Sequence, residues 1–178
     1  MAITGWPLTL EQFLALPEAE PALEYGPDGQ VSQKMSPESR HSRLQKWFVV
    51  CLTNYAEPRH LGEVLPELRV NTGGSSVVPD VVFYREGRVP PTGYPSTPPE
   101  VAIEIASPGQ SRDELAKKCA WYIEQGSTLA LLVDPEDVSI SAFSAAQLQT
   151  LRGGQELPLD EVLPGLELRV DEIFSALA

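Results

Sequence analysis

The chain has only two cysteines and two histidines, and no window approaches the roughly 18 uninterrupted apolar residues of a membrane-spanning helix. Cys51 and Cys119 stand apart from any CxxC or Cys/His spacing, which excludes a zinc site of the usual patterns. Both fall on apolar faces of predicted helices and read as buried thiols. The N-terminus lacks a basic stretch followed by an apolar run, so no secretory signal is read and the expected compartment is the cytoplasm. Basic residues are scarce as well: 13 Lys and Arg against 25 Asp and Glu, a formal net charge of -12. That deficit speaks against a surface that attracts nucleic acid broadly, and confines any such contact to a local cluster such as Arg40, Arg43 and Lys46. On a helix, such a cluster more often forms a solvated face. Internal repeats, low-complexity tracts and linkers are also absent. What remains is 178 residues with 42% hydrophobic content, enough to bury a sizeable core and expected to form one domain over residues 1–178.

Several elements announce themselves. Thr9 with Gln12 three positions on is a capping-box pattern opening a short amphipathic helix over 9–16. Two extended runs around Pro27-Asp28-Gly29 predict a hairpin with Glu24 on its first strand. Ser36-Pro37 offers an N-cap and a first-turn proline, and Leu44, Trp47, Phe48, Cys51 and Tyr55 recur at helical spacing to about Glu57. Strands are expected over 62–70 and 77–84, separated by a Gly-rich turn, with Pro79 implying an edge position or a bulge. The proline-crowded stretch 88–99 reads as a surface loop of the kind that borders a site. VAIEIA over 101–106 reads as a central strand buried on both faces. Ser111 and Glu114 open a helix that ends at Gly126. Strands follow over 129–133 and, with one wet face, over 138–143. The remainder looks peripheral and ends in a short helix from Asp171.

Two carboxylates are out of place in this pattern. Asp80 and Glu104 each interrupt an apolar strand, and an ionised carboxylate in a buried strand needs a compensating cation or hydrogen bonds. If the strands are neighbours, the two converge, and a hard divalent ion such as Mg²⁺ or Mn²⁺ is the usual remedy for their repulsion. Each residue alone reads first as a carboxylate paired with an arginine or capping a turn, and it is the two together that favour the ligand role. Phosphodiester cleavage also needs a basic residue to offset developing charge. Lys118 sits three after Leu115 and four before Tyr122, at the border of the core-facing stripe, whereas Lys117 points away. A lysine there could also snorkel to water. His41 reads as a solvated residue of the first helical turn, and His60 as a loop residue.

The order helix, three strands, helix, strand, with Pro79-Asp80 and Glu104 in successive strands, resembles the PD-(D/E)XK nuclease superfamily. The segments LEYGPDGQVSQKMSP, PDVVFY, VAIEIASPGQSRDELAKKCAWYIEQGSTLALLVDP and VLPGLELRVDEIF look like the Uma-two family of endonucleases within it. The resemblance implies an α/β (α+β) restriction-endonuclease-like core, a central mixed sheet flanked by helices (α-β-β-β-α-β) with an N-terminal helix and hairpin. It also implies a Mg²⁺-dependent nuclease in which Asp80 and Glu104 hold the metal, Lys118 is the catalytic lysine and Glu24 is an auxiliary carboxylate. The superfamily's lysine lies two residues after the glutamate; that position here is Ala106, and the pattern resembles branches in which the lysine has moved to the following helix. Three functions stay open: a nuclease acting on nucleic acid, expected to be DNA, as a homodimer with no membrane contact; a catalytically inactive oligomeric interaction module on the nuclease fold; and a metal-dependent hydrolase of a small phosphorylated substrate.

Overall fold

The computed structural model of the chain describes residues 8–178. The Thr9–Gln12 capping box forms, and the helix that it opens, α1, spans Leu10–Leu14. β1 (Leu23–Tyr25) and β2 (Val31–Gln33) make the expected antiparallel hairpin. α2 (Ser39–Ala56) begins later than Ser36-Pro37 suggests, with Glu38 as its N-cap. The side chain of Lys34, just after β2, donates to the Val78 carbonyl at 2.9 Å and so ties this segment to the residue before Pro79.

The expected strand over 62–70 is two strands, β3 (Gly62–Pro66) and β4 (Val70–Thr72), broken at Glu67, whose φ of 53° lies in the left-handed region. The expected strand over 77–84 is likewise divided into β5 (Ser75–Val77) and β6 (Val81–Arg85). Pro79 lies in the break, where its missing N–H costs no ladder bond. It marks neither an edge strand nor a bulge, because β6 is interior. β7 (Val101–Ile105) follows, then α3 (Arg112–Glu124), β8 (Leu129–Asp134), β9 (Ser139–Phe143), β10 (Leu148–Arg152) and α4 (Val170–Phe174).

Both breaks serve one purpose: they send the chain from one sheet to another. A mixed six-stranded sheet runs β10-β9-β8-β7-β6-β3, with only β7 and β8 parallel and α3 crossing between them. A smaller sheet, β2-β1-β5-β4, joins the N-terminal hairpin to the β4–β5 hairpin. Strand alternation sorts the core into two layers. Val81, Phe83, Ile103, Ile105 and Leu131 pack with Leu44, Phe48 and Leu52 of α2, while Val82, Tyr84, Ala102, Ala106 and Leu132 pack with Leu115, Cys119 and Tyr122 of α3.

The C-terminal part is not peripheral. Leu157, Leu159, Val162, Leu163, Leu168, Val170 and Ile173 complete the α2-side core. They also cover β9, which is buried on both faces. Their apolar positions are spaced by prolines and glycines, so no helical or strand period reveals them. Among the described residues, no helix is long and apolar enough to cross a membrane.

The edge of β3 imposes one strict requirement. Gly62 has φ 152°, and a Cβ there would lie 1.9 Å from the carbonyl oxygen of Tyr84 on β6. Gly62→Ala is therefore expected to destabilise the fold by more than about 1 kcal/mol, read as a lowered urea midpoint at unchanged slope.

Candidate active site

The register of β6 against β7 pairs Val81 with Ile103 and Val82 with Ala102. One step further, Asp80 stands opposite Glu104, and residues opposite one another across an antiparallel pair share a face. Both are 3% exposed, and both face the α3 side of the sheet. The carboxylates therefore meet as the sequence led us to expect, with one refinement: Asp80 precedes β6 instead of interrupting it.

Asp80 is held from three directions. Oδ2 accepts from the Ile105 amide at 2.6 Å and faces His41 Nε2 at 3.1 Å, while Oδ1 accepts from Lys34 Nζ at 2.7 Å. Glu104 Oε1 accepts from the Tyr122 hydroxyl at 2.8 Å and pairs with Lys118 Nζ at 3.0 Å. Lys118 also reaches Glu24 Oε1, at 2.8 Å, and the amide of Val78 donates to the same oxygen at 2.6 Å. Val78 has this N–H to give because the chain leaves β5 there.

α3 brings Lys118 to this point by ordinary means. Ser111 caps it by accepting from the Glu114 amide, and Leu115, Cys119 and Tyr122 press its apolar stripe onto the sheet. Lys118 lies between them, whereas Lys117 is exposed. Ala106, two residues beyond Glu104, is 2% exposed on the same face.

Burial and charge oppose one another throughout the cluster. Burial alone would discharge Lys118, but Glu104 and Glu24 outweigh it and hold the ammonium protonated well above its ordinary range. Lys34 behaves likewise, with Asp80 as its main partner. Burial also works against the charge of Asp80; the His41 hydrogen bond and Lys34 overcome it and keep this carboxyl well below the usual carboxylate range. Glu104 is the exception. Its burial, with Asp80 and Glu24 nearby, prevails over Lys118 and raises its pKa to about 7.

Three members of the cluster escaped the sequence reading. His41, expected in solvent, is 5% exposed and contacts Asp80; it lies three residues before Leu44 on the apolar stripe of α2, the signal that could have found it. Tyr122 was visible only as an apolar stripe position. Lys34 follows a three-residue strand whose pattern carries no sign of a partner. Elsewhere the basic face of α2 is exposed, as expected, with Arg40 donating to the Pro135 carbonyl at 2.7 Å. His60 is an exposed loop residue. Cys119 is buried and Cys51 only half-buried. The proline-rich loop is fastened to the scaffold by Tyr84 donating to Thr97 and by an Arg88–Glu100 pair, and it contributes Tyr94 to the cleft.

That cleft, of about 1560 Å³, is walled by the hairpin, the β5–β6 connection and the start of α3. Eight Asp and Glu line it against four Lys and Arg, so it favours cations. Among the described residues no three His, Cys, Asp or Glu side chains are grouped to hold a metal ion. Mg²⁺ needs no such group, because it keeps most of its waters and takes one or two carboxylates with substrate oxygens. Asp80 and Glu104 offer that donor set, and Glu104 Oε2 accepts no hydrogen bond among the described residues. The residues fit a hard divalent ion.

A mixed sheet carrying paired carboxylates and a helix-borne lysine at one cleft has the architecture of a nuclease fold. A solved crystal structure described as "a putative nuclease belonging to DUF820", from Anabaena variabilis, superposes with a TM-score of 0.90 at 29% identity, covering 97% of this chain and 100% of that one. The family model Uma2, described as "Putative restriction endonuclease", matches residues 10–171, and the chain belongs to this family. No curated protein matches it.

The raised pKa of Glu104 makes a pH prediction. Its carboxyl binds a proton more tightly folded than unfolded, so its contribution to stability is full below about 4.5 and lost as pH climbs to about 7. Glu104→Gln keeps an acceptor but no charge. Relative to this variant, the wild type is expected to lose stability between about pH 5 and pH 7 in chelator, read as a falling difference in urea midpoints; a constant difference refutes the assignment.

Proposed function

We propose that the protein is a Mg²⁺-dependent endonuclease of the PD-(D/E)XK type that hydrolyses DNA phosphodiester bonds. One observation carries this reading: Lys118 on α3 lies 3.0 Å from Glu104, beside the position where Ala106 leaves the strand without a basic residue. A lysine supplied from the helix then does the work that the superfamily assigns to the strand.

Asp80 and Glu104 hold the ion in this reading. When bound, the ion supplies Lewis-acid polarisation of the scissile phosphate and lowers the pKa of an attacking water. The remaining work falls to the chain. Glu104 and Glu24 favour the protonated form of Lys118, which orients water and offsets charge on the phosphoryl oxygens. Glu24 holds that ammonium at 2.8 Å, and Tyr122 fixes the carboxylate of Glu104. The family's description as restriction endonucleases favours DNA over a small phosphorylated substrate.

A second reading has support in the same geometry. The two lysines compensate the carboxylates without an ion, as an inactive interaction module on this fold would require. Calorimetric titration with Mn²⁺ and plasmid nicking separate the two. The wild type is expected to bind Mn²⁺ and to nick. Asp80→Ala loses both, and Lys118→Ala keeps binding while nicking falls by about 100-fold or more. A wild type that binds no Mn²⁺ leaves the interaction module as the reading.

A further inference from the structure

The mechanism above leaves one buried cation without a task. Lys34 Nζ sits 2.7 Å from Asp80 Oδ1, with its side chain 13% exposed at the end of the hairpin. The other oxygen of Asp80 is occupied by the Ile105 amide and His41, so Oδ1 is the oxygen free to turn toward an ion, and Lys34 covers it. An ammonium and a divalent cation cannot share that oxygen at such a distance, because their repulsion in a buried site far exceeds thermal energy.

Each lysine of the cluster has a second carboxylate behind it. For Lys118 this is Glu24; for Lys34 it is Glu67, whose Oε2 lies 3.4 Å from Nζ. The two are not equivalent. Glu24 is largely buried and touches Lys118 as closely as Glu104 does, whereas the Glu67 side chain is 45% exposed on the cleft. Glu67 is also a non-glycine residue at φ 53°, a strained conformation of the kind that collects at functional sites. Its position is fixed further by Gln45, which donates to Oε1 at 3.0 Å and to the Asp80 carbonyl at 3.0 Å. A carboxylate held in a strained backbone, beside a lysine that a metal must move, is a second resting place for that lysine.

We propose that Lys34 is a displaceable counter-ion: it neutralises Asp80 in the metal-free protein and, when a divalent ion takes Asp80, moves toward Glu67 at the cleft surface, where it contacts a substrate phosphate. The inference rests on the metal reading of Asp80 and Glu104. It makes Lys34 a residue that links metal uptake to phosphate binding.

The test uses Mn²⁺ with the full chain, and Ca²⁺ with an uncleaved DNA oligonucleotide. Amine labelling of the wild type, read by mass spectrometry, is expected to rise several-fold at Lys34 on saturation with Mn²⁺, with exposed Lys117 as the unchanged reference. Lys34→Gln is expected to bind Mn²⁺ about tenfold more tightly, because the competing charge is gone. Its oligonucleotide affinity in Ca²⁺ should show a salt slope lower by about one. The labelling needs no variant, so it decides the matter even if Lys34→Gln fails to fold. A wild type that takes up no Mn²⁺ overturns the metal reading and this inference together. A wild type that binds Mn²⁺ with unchanged labelling at Lys34 overturns the counter-ion alone and leaves the metal site standing.

Discussion

The structure depends on two carboxylates that neighbouring strands bring together out of water. Removing a carboxylate from solvent costs several kcal/mol after relaxation, and a second one beside it adds repulsion. The fold answers with cations and donors from four separate elements: Lys34 from the hairpin, His41 from α2, Lys118 and Tyr122 from α3, and the Ile105 amide from β7. These donors are spread from residue 34 to residue 122 of the chain. The cluster therefore ties the small sheet, α2 and α3 to one end of the large sheet, and losing any member weakens the compensation of a buried charge.

This requirement accounts for the irregularities of the backbone. Two strands that the hydrophobic pattern presents as continuous are broken at Glu67 and at Pro79, next to the residues that the cluster needs. The break at Pro79 frees the Val78 amide for Glu24 and its carbonyl for Lys34. Val78 thus joins the two halves of the cluster through its own N–H and carbonyl. Left-handed Glu67 directs a carboxylate toward Lys34. Departures from local rules at a functional site are expected when the surroundings over-determine them.

How much of this is legible in the sequence follows from the range of each signal. Asp80 and Glu104 stand out because a charge within an apolar strand is a local contradiction, and Lys118 because helical periodicity places it beside Leu115 and Tyr122. The hairpin and the helix α3 are legible for similar reasons, and the mixed sheet through the family resemblance that these segments carry. The second sheet is not, since β1 meets β5 across about fifty residues through one short register that no period announces. Lys34 and His41 are missed because their partners lie on other elements. The C-terminal part of the core is missed because its apolar residues are spaced by turns, and apolar spacing without a period carries no sign of which side is buried.

The acidity of the chain takes on a different meaning beside this geometry. A net charge of -12 is an objection to nucleic-acid binding only if the protein must attract a polyanion by its own field. The cleft does the opposite: carboxylates outnumber lysines and arginines there two to one, so it draws in cations first. In the function proposed, a bound divalent ion adds positive charge at the carboxylates, and the lysine that it displaces carries its charge to the cleft surface. The site then becomes receptive to phosphate only once it holds metal. An acidic protein built this way would resist idle association with nucleic acid and reserve its affinity for the state able to cut.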